Sequence, residues 1–191
     1  MKSSGKLTPI FCSALLCGIP WAATVADDVP AKGVWQKHEY RFSYFGFTTT
    51  YSCDGLADKL KLLLIAAGAR MDAKSQPAAC TNGFGRPDRF ASAYLTFYTL
   101  AAAGADQVND AGTVNGNWRV VKFMPRTPSQ LGLGDCELIE QFRDRLLPMF
   151  STRNIDNKTA CVPHQLSGSD YSLSFDSFAA VDTKPGSPKA T

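Results

Sequence analysis

His38 and His164 are the only histidines of the chain, and histidine is the side chain that titrates nearest neutral pH and ligates metals most readily. Glu39 stands beside His38, an arrangement that would suit a metal site, but no third ligand follows at a motif spacing. Two unrelated histidines at strand ends are the simpler reading. The chain has no Cys-x-x-Cys pair, Gly-x-Ser-x-Gly elbow, phosphate loop or His-Glu-x-x-His sequence. Thioredoxin-like redox chemistry, the hydrolase elbow, nucleotide cradling and zincin chemistry therefore have no motif to rest on. Serines and aspartates are numerous enough to fit any triad, so that fit carries no weight. No catalytic residue, cofactor or metal ligand is assigned.

Binding chemistry has a better local signal. The turn NGFGRPDRF, residues 82–90, brings Arg86 and Arg89 near Phe84 and Phe90. Guanidinium groups and aromatic faces together can hold an anionic or carbohydrate ligand, and Phe84, Arg86 and Arg89 are the candidate ligand-binding residues. The competing reading is an ordinary Gly-Pro turn with solvated arginines. A second aromatic set, Tyr40, Phe42 and Tyr44 with Tyr94 and Tyr98, would form a platform if it faced outward. A chain with two short helices needs aromatic strands to fill its interior, so the set is expected to be core.

These residues must be placed by a folded chain, whose start is set by export. Lys2 and Lys6 precede residues 7–23, which contain no acid or base, and Thr24-Val25-Ala26 supplies small residues at a cleavage position. Residues 1–26 thus read as a secretory signal peptide, leaving a periplasmic or secreted chain without stable membrane insertion. Taking Lys2 and Lys6 from the 20 basic residues leaves 18 against 17 acidic ones, a net charge of +1. That balance excludes a nucleic-acid binder working by phosphate neutralisation. Residues 183–191 are polar and proline-containing and read as a disordered tail.

The signal also takes Cys12 and Cys17, leaving Cys53, Cys80, Cys136 and Cys161, an even set that favours two disulfides in an oxidising compartment. An internal echo bears on their pairing. Residues 95–102 read LTFYTLAA and residues 173–180 read LSFDSFAA. Trp35 and Trp118 are 83 positions apart, Cys53 and Cys136 also 83, Cys80 and Cys161 81, and Leu95 and Leu173 78. The drift is slow and in one direction, as loop deletions in a duplicated copy would give. The expected organisation is a first β-α-β-β repeat over 27–110 and a second over 111–182.

In the first copy, a strand over residues 38–51 alternates Tyr40, Phe42 and Tyr44 and changes phase near Gly46, where a bulge is expected. A helix over 54–69 follows, with Leu56, Leu60, Leu63, Leu64 and Ala67 on one face and Gly68 as its stop. In the second copy Asp135 caps a helix that Pro148 must bend or end. A strand-helix-strand crossover with parallel strands places each helix start beside the end of the next strand, so the expected bridges are Cys53–Cys80 and Cys136–Cys161.

The expected fold class is α+β: two tandem β-α-β-β repeats packed as a pseudo-twofold, antiparallel-sheet/helix sandwich with two intra-repeat disulfides. In topology the strand-helix-strand order resembles the ferredoxin-like plait, and the paired modules resemble the glyoxalase-type metalloenzyme layout. The second resemblance implies His and Glu metal ligands that have no place in this sequence. The functional expectation is an exported, disulfide-stabilised, non-enzymatic binding or interaction protein, taking an unknown protein or a small anionic or carbohydrate ligand. The alternative is a small hydrolase or metal-dependent enzyme with its site between the two repeats.

Overall fold

Alternating aromatic and polar residues in AKGVWQKHEYRFSYF build the first strand, β1 (Ala31–Phe45), which buries Phe42 and Tyr44 on one face and leaves Lys37, Glu39 and Arg41 on the other. The computed structural model describes residues 31–78, 86–104, 112–165 and 170–181. The expected signal peptide, Cys80, Phe84 and the expected tail lie outside these residues. After β1 come α1 (Cys53–Ala67), β2 (Lys74–Pro77), β3 (Phe90–Ala102), β4 (Val114–Phe123), α2 (Cys136–Arg145), β5 (Thr152–Asn157) and β6 (Leu173–Ala180).

The six strands among the described residues belong to one sheet, in the order β2-β3-β1-β4-β6-β5, and every ladder in it is antiparallel. β1 and β3 form the longest ladder, in unbroken register from Gly33 opposite Ala102 to Phe45 opposite Phe90. β1 meets β4 over a short stretch, Ala31 opposite Gly116 to Gly33 opposite Val114.

This overturns the expected sandwich of two packed β-α-β-β repeats, and of the two intra-repeat disulfides expected with it one joins described residues. The described residues form one antiparallel sheet with two α-helices, in place of two modules packed as a sandwich. The echoed residues 95–102 and 173–180 fall in β3 and β6 of the same sheet. Separate modules would leave β1 and β4 with open edges; pairing them over Ala31–Gly33 joins the edges at one end. The ferredoxin-like resemblance is corrected along with the repeats. β3 lies between β1 and β2 and runs antiparallel to both, so the two strands that flank α1 run parallel to each other, as the cysteine pairing assumed, but are not hydrogen-bonded to one another. Among the described residues one bridge is present, Cys136–Cys161, with Cα atoms 5.7 Å apart. Cys53 is buried at the start of α1, and Cys80, its expected partner, lies outside the described residues.

The helices form where the apolar spacing places them. α1 buries Leu56, Leu60, Leu63, Leu64 and Ala67, each large side chain contributing about 2 kcal/mol by leaving water. The Ser52 hydroxyl accepts the Gly55 N–H at 3.0 Å at its start, and Gly68, at φ 111°, ends it in the left-handed conformation. Its last carbonyls are taken by the sheet: Arg119 on β4 donates to Ile65 at 3.2 Å and Ala66 at 3.3 Å, and Ser177 on β6 donates to Ala67 at 2.6 Å. α2 buries Leu138, Ile139 and Phe142 and stops after Arg145, with Pro148 in the 3-10 turn Leu147–Met149 that follows. Phe123 joins the two ends of this core, its ring 5.6 Å from that of Phe142 and 5.7 Å from that of Phe175.

Candidate functional site

β1 breaks off at Gly46, and its antiparallel pairing with the chain entering β3 resumes only in the isolated bridge between Tyr51 and Asp88. The strand ends at Phe45, because the backbone N–H groups that a strand would give to its neighbour go instead to a side chain. The Glu137 carboxylate, in the first turn of α2, accepts from Phe47 N–H and Thr48 N–H at 3.1 Å and from Thr49 N–H at 3.4 Å. The Tyr44 hydroxyl, 3.2 Å from Glu137 Oε2 and 2.9 Å from the Thr49 carbonyl oxygen, shares its one proton between them. Glu137 is 8% exposed, and a buried carboxylate is held there by converging N–H dipoles and by the positive end of its own helix. Gly46 fits because a Cβ would overlap the Tyr44 hydroxyl and the Thr49 carbonyl. Its own N–H donates to the Arg89 carbonyl at 3.0 Å.

One helical turn on, Gln141 brackets Phe45, donating Nε2–H to its carbonyl at 2.7 Å and accepting its N–H at 3.2 Å. Glu137 and Gln141 thus grip the backbone on both sides of Gly46, and the phenylalanines beside it point away from the core. Phe45, Phe47 and Phe90 are 36%, 45% and 56% exposed. Their rings touch: Phe45 to Phe90 at 4.6 Å between centroids and Phe45 to Phe47 at 4.7 Å. His164, at φ 62°, lays its ring edge-on to Phe47 at 5.8 Å. The Thr48 hydroxyl donates to the Val162 carbonyl at 3.3 Å, so the chain after Cys161 is fastened to the same corner.

A second buried carboxylate lies two residues before the first. Asp135 accepts from the Tyr51 hydroxyl, from Lys59 Nζ at 2.6 Å and from Gly132 N–H at 2.6 Å. Burial pushes the Tyr44 and Tyr51 phenols up, and the carboxylates of Glu137 and Asp135 add to the effect, so both stay protonated as donors. With these acceptors occupied by donors from α1, the turn after β1 and the loop before α2, the pair Asp135 and Glu137 reads as structural fastening rather than acid-base machinery.

The sequence candidates are dispersed by the fold. Arg86 and Arg89 are exposed on the segment entering β3, and Phe84 lies outside the described residues. Phe90, named with them, stands opposite Phe45 in the ladder. Phe45 and Phe47 were not singled out, although an apolar pair flanking glycine and followed by three threonines is a turn cue. His38 and His164 do not meet: His38 stacks on Phe97 at 5.1 Å and bonds Thr99 Oγ1 at 2.8 Å through Nε2, while His164 sits on Phe47. Among the described residues no group of three His, Cys, Asp or Glu side chains is placed to hold a metal ion. The aromatic set splits by parity: Phe42 and Tyr44 are core, Tyr40 packs against it, and Tyr94 is exposed on the opposite face beneath Arg41. A shallow depression beside the end of α1 is lined in part by Trp35, Met71 and Arg119, but the Arg119 guanidinium there is already bonded to the helix carbonyls.

Comparison with protein-family models, curated proteins and solved structures finds no match. The functional reading therefore rests on the aromatic surface itself.

Proposed function

We propose that this protein is an exported, disulfide-stabilised, non-enzymatic binding module whose contact surface is formed by Phe45, Phe47 and Phe90. The carrying observation is that three touching phenylalanine rings stay exposed while buried Glu137 and adjacent Gln141 hold their backbone. Contiguous exposed apolar surface on a folded chain marks a place where something else binds. A surface fixed in advance loses little conformational entropy on binding. The Cys136–Cys161 bridge supports export, since such bridges persist in oxidising compartments.

The test uses Nile red, a neutral apolar dye. The protein should bind it saturably with a blue shift in emission, and Phe47→Ser with Phe90→Ser should abolish the signal while leaving the melting temperature within a few degrees, both side chains being exposed. Undiminished dye binding by the double variant would remove the surface from its role.

A further inference from the structure

We infer that the Phe45, Phe47 and Phe90 surface takes a polypeptide segment in which apolar side chains alternate with carboxylates. This rests on the binding reading above and names the partner's chemistry.

The argument is charge complementarity around an apolar centre. Exposed Arg89 directly precedes Phe90, and exposed Arg86 lies four residues before Phe90. Exposed Arg145, one helical turn beyond Gln141, donates Nη1–H to the Ser43 carbonyl at 2.5 Å, which holds it beside the same end of β1. The carboxylates in the neighbourhood are engaged. Glu137 is buried under the N–H groups of Phe47, Thr48 and Thr49. Asp88 is half-buried and accepts the Phe90 N–H at 3.4 Å. Asp144, on the neighbouring stripe of α2, is paired with Arg143 at 2.7 Å, and half-buried Glu140 stands beside that pair. The rim therefore carries an excess of guanidinium groups, which prefer carboxylates and bind them through two parallel N–H donors.

The centre argues for side chains rather than sugars. All three rings are phenylalanine, with no hydroxyl or indole N–H to bond a hydroxyl-rich ligand. A partner chain bearing aromatic or aliphatic residues would cover the rings, and its acidic residues would meet Arg86, Arg89 and Arg145. Such an arrangement steers association and sets register as well as contributing affinity.

The experiment measures fluorescence anisotropy of a labelled synthetic peptide with Phe and Leu at alternate positions and Asp or Glu between them. Matched peptides carry Gln or Lys in place of the acids. The acidic peptide should bind about tenfold tighter than the Gln peptide at low salt, with the gap closing as salt rises. The Lys peptide should bind weakest. Arg86→Gln with Arg89→Gln, both on the surface, should erase the preference without unfolding the chain.

Equal binding of the acidic and Gln peptides, or a preference for the Lys peptide, would overturn the inference. So would tighter binding to phosphatidylglycerol vesicles than to the acidic peptide, or self-association in sedimentation that Phe47→Ser abolishes. If Nile red binds as above but the acidic peptide is not preferred, the partner chemistry fails and the binding reading stands. If the dye does not bind at all, the reading itself fails.

Discussion

Glu137 accepts the backbone N–H of Phe47 at 3.1 Å across 90 positions of sequence, and that contact decides both where β1 ends and which phenylalanines reach the surface. Glu137→Gln keeps the length but turns a donor group toward backbone donors; Glu137→Ala leaves the N–H groups of Phe47, Thr48 and Thr49 buried or half-buried without their acceptor. Either change should lower stability by about 2–3 kcal/mol in urea unfolding and reduce Nile red binding together with it. An unaltered urea midpoint would mean that the 46–50 segment is not held by this carboxylate.

Gly46 supplies an independent test of the same corner. A Cβ there would overlap the Tyr44 hydroxyl and the Thr49 carbonyl, and Tyr44 is fully buried among core side chains. Gly46→Ala should therefore destabilise by about 2 kcal/mol, the usual range for overpacking. Substituting Tyr44→Phe in the same chain removes the hydroxyl and should recover part of that loss. Strict additivity of the two changes in a double-mutant cycle would show that they do not share this contact.

Much of the fold was legible where the pattern is local. The Leu56, Leu60, Leu63, Leu64 and Ala67 spacing, with Gly68 after it, places α1, and the alternation of Tyr40, Phe42 and Tyr44 places the inward face of β1. The sheet order was not legible, because the pairing of Gly33 with Val114 joins two segments distant in sequence, and an echo between strands does not say which of them are neighbours. The end of β1 was missed for the same reason. The residues after Gly46 look like a strand in a new phase, and only Glu137, far along the chain, takes their hydrogen bonds away. Arg86 and Arg89 were visible as binding chemistry, but their aromatic partners on β1 become neighbours only through the register that sets Phe45 opposite Phe90.

The Cys136–Cys161 bridge spans 25 positions, a loop whose closure stabilises by about 3 kcal/mol in the chain-entropy account. Its placement gives it a second effect. Cys136 precedes Glu137, and Cys161 precedes Val162, whose carbonyl holds the Thr48 hydroxyl, and His164, which packs on Phe47. Cys136→Ser with Cys161→Ser should lower the melting temperature by several degrees and weaken Nile red binding at temperatures where the variant is still folded. Unchanged dye binding by the folded variant would show that the bridge stabilises the chain without shaping the aromatic surface.

His38 predicts how stability responds to acid. Its ring is stacked on Phe97 and bonded to Thr99 Oγ1, and burial lowers its pKa below the usual imidazole value. Lys37 and Glu39, its charged neighbours on the strand, point to the other face and pair with each other. As pH falls through about 6.5, the unfolded chain takes up the proton first. The folded chain resists it, so stability is lost on acidification until the folded-state value is passed. The urea midpoint should accordingly decline between about pH 7 and pH 5, and His38→Gln, which cannot take up that proton, should flatten the decline. Parallel pH profiles for the wild type and the variant would place the acid sensitivity elsewhere and return His38 to the role of a packed, non-titrating ring.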